Sequence, residues 1–188
     1  KERPVIEGDA GKIAGEIVRW QNKLLSEIEQ EDVDVYVFLH KEAKKRGVVD
    51  NRVFRFVFRS FYRLDSAGLG PQLKEKFFSL LYEKQQDLEY ILRTLYRVPD
   101  LRGRNTIQFS FATKLLHTLD VKSPIYDSRV ARITRLHFSG PTPEQRVQSC
   151  LKIYKQLGLI HVSLLANPGV KEVIAKFRTK FHAPSRHV

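Results

Sequence analysis

Apolar residues recur at helical spacing along nearly the whole chain, and this limits the folds open to it. Ile13, Ile17, Trp20, Leu24 and Ile28 step by 4, 3, 4 and 4. Such spacing lines one face of a helix of about 3.6 residues per turn, where a half-buried strand would alternate. Leu73, Phe77, Leu80 and Leu81 repeat the pattern behind Pro71, a proline suited to a first helical turn. Leu88, Ile91, Leu92 and Leu95 predict another helix, ending before Pro99. Thr106 to Leu119 reads as a turn and then a helix. Ser128 to His137 reads as a helix stopped by Ser139-Gly140-Pro141, and Pro143 to Leu157 as one ended by Gly158. A last helix follows Asn167-Pro168-Gly169. Val33 to Val37 alternates as a short strand would, but Phe38 to Lys45 continues in good helix formers, which favours helix there. Breakers at Gly68-Leu69-Gly70, Pro99-Asp100, Ser123-Pro124 and Gly140-Pro141 have the spacing of a compact helical array. No repeat, low-complexity tract or long linker divides the chain. The expectation is a single all-α domain over residues 1–188, of one lobe or two.

Composition narrows the partners. Of 188 residues, 42% are hydrophobic, enough to rule out a disordered chain. No apolar run approaches the roughly 18 residues of a membrane span, and Lys1-Glu2-Arg3-Pro4 leads into no signal-peptide stretch. The chain contains no Met, even at its start, which leaves room for a missing N-terminal segment. The lone Cys150 has no internal disulfide partner, so a reducing compartment is expected, cytoplasmic and nucleoid-associated if bacterial. Lys and Arg number 33 against 21 Asp and Glu, a net charge of +12, and polyanions are the obvious partners. Between Asp50 and Asp65, Arg52, Arg55, Arg59 and Arg63 form one helical stripe without an intervening acid, opposite Val53, Phe54, Val57, Phe58 and Phe61. Further basic clusters are Arg102-Gly103-Arg104, Arg129/Arg132/Arg135 and Lys171/Lys176/Arg178/Lys180. Nucleic acid is favoured over a membrane surface, because a surface helix would need its apolar face free for lipid.

Residues 105–130 hold most of the functional signal. Lys114 lies in a helix that ends near Leu119, and Val121 to Ile125, extended around Pro124, can retrace that helix. Asp127 can therefore return beside Lys114 at the start of the next helix. Ser110-Phe111-Ala112-Thr113-Lys114 resembles the Gly-x-Gly-Thr-Lys hairpin of the helix-hairpin-helix DNA glycosylases, in particular their 8-oxoguanine DNA glycosylase-like branch. Pro124-Ile125-Tyr126-Asp127 resembles the lead-in to that family's Asp. The motif match covers about 25 residues, and the helical pattern extends it over most of the chain. The chain departs from the family pattern in three ways. Ser110 and Ala112 replace the hairpin glycines, the Lys-to-Asp spacing of 13 is short, and another register would put Ser110 or Thr113 at the Lys position.

The resemblance implies a two-lobed helical array with a cleft near residues 105–130. It implies double-stranded DNA carrying an oxidised base such as 8-oxoguanine as partner, a monomer, and no cofactor. Lys114 would be the nucleophile and Asp127 the assisting carboxylate. Arg102, Arg104, Asn105, Arg55, Arg59 and Arg129 would bind DNA. Phe109, Phe111, His117 and Tyr126 would line the base pocket. Each residue also has a plainer reading: Asp127 as a helix N-cap, Lys114 as a solvated helix lysine, His117 as a satisfied buried residue, Phe109 and Phe111 as core. The sequence has no Cys-x-x-Cys, no His-Glu-x-x-His and no acidic cluster, so no metal site is suggested. The absence of a Gly-x-x-x-x-Gly-Lys-Ser/Thr loop argues against nucleotide hydrolysis. Two other classes remain open: a non-catalytic basic helical DNA-binding protein of the same fold, and a helical domain for protein partners.

Overall fold

The computed structural model describes residues 6–45, 47, 50–65 and 68–182, and among them the backbone forms ten α-helices and no strand. They are α1 (Ile6–Arg19), α2 (Gln21–Ser26), α3 (Gln30–Glu42), α4 (Arg52–Phe61), α5 (Pro71–Tyr82), α6 (Leu88–Tyr96), α7 (Phe109–Leu119), α8 (Ser128–Thr134), α9 (Pro143–Ala166) and α10 (Pro168–Lys180). The fold is all-α as the periodicity predicts, and Val33–Val37 lies inside α3. Lys1–Pro4 lie outside the described residues. No described helix is long and apolar enough to cross a membrane.

Local sequence explains the helix ends. Asn51, Asp87, Asp127, Thr142 and Asn167 each accept a backbone N–H from the first turn of the helix they precede, a contact that contributes about 1 kcal/mol. Pro71, Pro143 and Pro168 open their helices where no N–H is needed. At the other end, α4, α5 and α8 stop at Arg63, Lys84 and Arg135, all with φ between 54° and 57°. Leu64 N–H reaches Arg59 O at 2.9 Å and Arg63 N–H reaches Ser60 O at 3.3 Å, the paired bonds of a Schellman turn. Glycine is usual at such a position. A basic side chain beside the carbonyl end of the helix dipole offsets part of the left-handed cost.

One large core joins α4 to α7 and α9. Its fully buried members include Phe54, Phe58, Phe77, Phe78, Ile91, Leu92, Phe109 and Leu115, with Cys150 from α9. Arg93 of α6 bridges Glu89 at 2.8 Å and Glu144 of α9 at 2.6 Å across the rim of this core. A smaller cluster of Val33, Val37 and Phe181 ties α3 to the end of α10.

Three boundaries differ from the sequence expectation. The Ile13–Ile28 stripe is not a core face. The helix breaks after Arg19, and α1 packs along α9 and α10 while burying Ala10 and Ala14. The small face allows close approach, so the large residues are left outside. Trp20 and Leu24 are 47% and 42% exposed and, with Ile133, line an open groove. Helix α9 runs through Gly158 to Ala166, because burial of Val147, Cys150, Ile153, Leu157 and Ile160 on one face outweighs the roughly 1 kcal/mol a helical glycine costs. Helix α8 ends at Thr134, before His137, where Arg135 turns left-handed.

Gly140 is required by the turn between α8 and α9. Its φ is +144°, and a Cβ there would sit 2.7 Å from the Cβ of Gln145 and 3.0 Å from backbone. Gly140→Ala is expected to cost about 3 kcal/mol, strain and overlap combined. Denaturant unfolding reads this directly, and an unchanged midpoint would refute it.

Candidate functional site

Helix α7 and the start of α8 are joined through one side chain. Thr113 is fully buried, and its Oγ1 accepts the backbone N–H of Tyr126 at 3.0 Å while donating to Ser110 O at 3.0 Å. This pins the 124–127 segment against the middle of α7. Asp127 then caps α8, its Oδ1 accepting from Arg129 N at 2.9 Å and Val130 N at 2.8 Å. Thr113→Val keeps the volume and removes the acceptor, leaving the Tyr126 N–H buried and unpaired. A loss of about 1–3 kcal/mol in chemical unfolding is expected; a loss under half a kcal/mol would mean that Thr113 is not the tie.

The pinned segment opens onto a cleft of about 670 Å³. Lys114 and Asp127 both line it, with Arg63, Phe111, Ser128 and Arg129 around them and Phe61, Tyr62, Ser110 and Ile125 completing the wall. The return of Asp127 to Lys114 is therefore as the sequence geometry allows. The Lys114 ammonium is half-buried and donates to Tyr62 O at 3.3 Å. It lies 4.9 Å from the ring centroid of Phe111 and 5.8 Å from that of Tyr62. Burial lowers its pKa below the ordinary lysine value; Asp127 opposes that shift and Arg63 adds to it. The arrangement thus favours a neutral amine at lower pH than a solvated lysine allows. Lys114 is the one amine among the residues lining the cleft, beside the hydroxyls of Tyr62, Ser110 and Ser128. Cys150 is buried in the core, and burial pushes its thiol up to about 12.

The local backbone differs from the hairpin that the sequence resembles. Ser110 to Thr113 lie within α7, with Ala112 N–H bonded to Gln108 O at 2.9 Å, and Lys114 sits in mid-helix. With Cβ atoms at positions 110 and 112, ordinary helix is the favoured path, where glycines would permit a turn of positive φ.

Of the four aromatic or imidazole residues assigned to a base pocket, only Phe111 lines the cleft. Phe109 is buried against Tyr126, ring centroids 4.4 Å apart, and Phe138. Tyr126 is core as well, its hydroxyl donating to Leu136 O at 3.1 Å. His117 is held in a separate cluster: Nδ1 donates to Ser123 O at 2.7 Å, which leaves Nε2 to accept from the Tyr36 hydroxyl at 2.8 Å. The His40 ring packs edge-on at 5.2 Å. Burial lowers the His117 pKa and raises the Tyr36 phenol to about 12. The imidazole is thus a neutral brace between α3 and the loop before α8.

The proposed DNA contacts divide. Arg129 lines the cleft, but Arg55, Arg59, Arg102, Arg104 and Asn105 do not. Arg55 pairs with Glu75 and stacks over Phe78 at 4.6 Å, and Arg59 reaches Asp65 at 3.3 Å. Two of the four arginines of the stripe are therefore answered by acids outside the helix. Helix α4 also exposes Val53 and Phe56, 64% and 61% accessible. Arg104 pairs with Asp100 at 3.2 Å, whose carboxylate also accepts the backbone N–H groups of Arg102 and Arg104. The Asn105 amide donates to Tyr96 O at 2.7 Å, bracing the end of α6.

Arg63, Tyr62 and Ser128 belong to the cleft and were not assigned to it from sequence. By spacing Arg63 belongs to the α4 stripe, and nothing in the pattern signals that the helix ends two residues earlier, at Phe61. The Tyr62 hydroxyl is buried without a hydrogen-bond partner, and burial pushes it up to about 12 against the opposing effect of the neighbouring Thr118 hydroxyl. Among the described residues, no group of three or more His, Cys, Asp or Glu could hold a metal ion. No protein-family model, curated protein or solved structure matches the chain.

Proposed function

We propose that the Lys114–Asp127 cleft is the active site of a DNA glycosylase with an abasic-site lyase step, as the likeness to the helix-hairpin-helix glycosylases implies. One observation carries this reading: a half-buried lysine with a lowered pKa shares a cleft with a carboxylate on a basic protein. Base release would break the C1′–N bond of a flipped nucleotide with oxocarbenium character that the Asp127 carboxylate stabilises; water adds at C1′, its proton goes to the departing base, and the sugar opens to the aldehyde. In the lyase step the neutral Lys114 amine adds to the C1′ aldehyde and water leaves, forming an imine. Loss of a C2′ proton then breaks the C3′–O bond, and the 5′-phosphorylated strand departs. Water hydrolyses the imine and frees the lysine.

Borohydride trapping tests the reading. A covalent adduct on a duplex containing an abasic site or 8-oxoguanine supports it. No adduct and no base release on any duplex would overturn it. A second reading, a DNA-binding protein without catalysis, is favoured by the helical 110–113 segment and by the burial of Phe109 and Tyr126 in the core. That placement leaves a flipped base little stacking surface. Steeply salt-dependent binding without trapping or base release would select it.

A further inference from the structure

We infer that Arg63 and Arg129 form a two-cation clamp for a phosphate flanking the reacting sugar, so that the cleft takes a phosphodiester-linked sugar and not a free aldehyde. The inference rests on the reading that this cleft takes DNA. Arg63 leaves the C-terminus of α4 and Arg129 the first turn of α8, and both side chains line the cleft that holds Lys114. Two arginines brought to one cleft from separate elements supply the forked donors that a tetrahedral anion accepts. Ser128 adds a hydroxyl at the same wall.

The backbone of Arg63 makes the assignment sharper. Its φ of 56° is a conformation in which glycine is favoured. Lys84 and Arg135 occupy equivalent left-handed ends, so a basic residue there is compatible with the helix dipole. Of the three, only Arg63 lines the cleft. A glycine at position 63 would satisfy the turn better and lose the cation. Arg63 also acts on the amine, since its charge depresses the Lys114 pKa.

The experiment compares wild type, Arg63→Gly and Arg63→Lys on a duplex carrying a tetrahydrofuran abasic analogue, which cannot form an imine. Arg63→Gly is expected to melt at or above the wild-type temperature and to bind roughly tenfold more weakly at moderate salt. The slope of log K against log salt should fall by about 1, and Arg63→Lys should retain it. On a true abasic duplex, the pH midpoint of trapping should move up in Arg63→Gly. An unchanged salt slope in Arg63→Gly overturns the clamp, as does weaker binding accompanied by lost stability. If wild type never traps but the slope falls as expected, the phosphate clamp stands and the lyase reading falls. If wild type traps and the slope is unchanged, the lyase reading stands and the clamp falls.

Discussion

Lys114→Gln is expected to abolish the borohydride-trapped adduct and strand nicking, a loss on the order of 10³-fold or more, while the fold stays at least as stable as wild type. The amide keeps a donor for the Tyr62 carbonyl and removes a half-buried charge. The sign follows from proton linkage. The folded pKa of Lys114 lies below its unfolded value of 10.5, so below the folded value both states are protonated and the burial cost is fully present. Between the two values the unfolded state binds more protons, and stability rises with pH. Tyr36 and Tyr62, raised from 10.0 to about 12, act in the opposite sense: their contribution is lost as pH rises above 10. Below pH 10 the wild type should therefore gain stability with pH relative to Lys114→Gln. Trapping by wild type should likewise reach its plateau at a lower pH than a solvated lysine would. An adduct that persists in Lys114→Gln would move the nucleophile elsewhere. A melting temperature several degrees lower would make Lys114 a structural residue.

How far the sequence reaches can be judged residue by residue. The helix starts at Pro71, Asp127 and Pro143 were legible because capping and proline geometry act within a few residues. The return of Asp127 toward Lys114 is legible as a permitted path, since a short extended connection is long enough to retrace the helix before it. The hairpin resemblance does not extend to the backbone at Ser110 and Ala112, which lie within α7, where residues with a Cβ favour ordinary helix over a positive φ. Phe109, Tyr126 and His117 lie away from the cleft because they are held by partners distant in sequence, Phe138, Leu136 and Tyr36, which no local pattern names. The pairing of Arg55 is hidden for the same reason, since Glu75 comes from another helix. Arg63 was hidden because whether it belongs to α4 or to the cleft depends on a single left-handed residue. Helix boundaries set by burial, as at Gly158 and Trp20, were the least visible.

Asp127 can be tested for two roles with two substitutions. Its Oδ1 caps α8, and asparagine makes the same cap with a carbonyl oxygen. Asp127→Asn should therefore stay within about 0.5 kcal/mol of wild type, whereas Asp127→Ala should lose about 1 kcal/mol. Base release depends on the charge and not on the cap, so both variants should lose it by roughly 10²–10⁴-fold. The lyase step should respond differently. The Asp127 charge raises the Lys114 pKa, so its removal leaves a more readily neutral amine. Trapping on a preformed abasic site by Asp127→Asn should then shift its pH midpoint downward while base release collapses. If Asp127→Asn releases base as fast as wild type, Asp127 is a helix cap and nothing more. If the trapping midpoint does not move downward, the two groups do not sense each other across the cleft as the geometry requires.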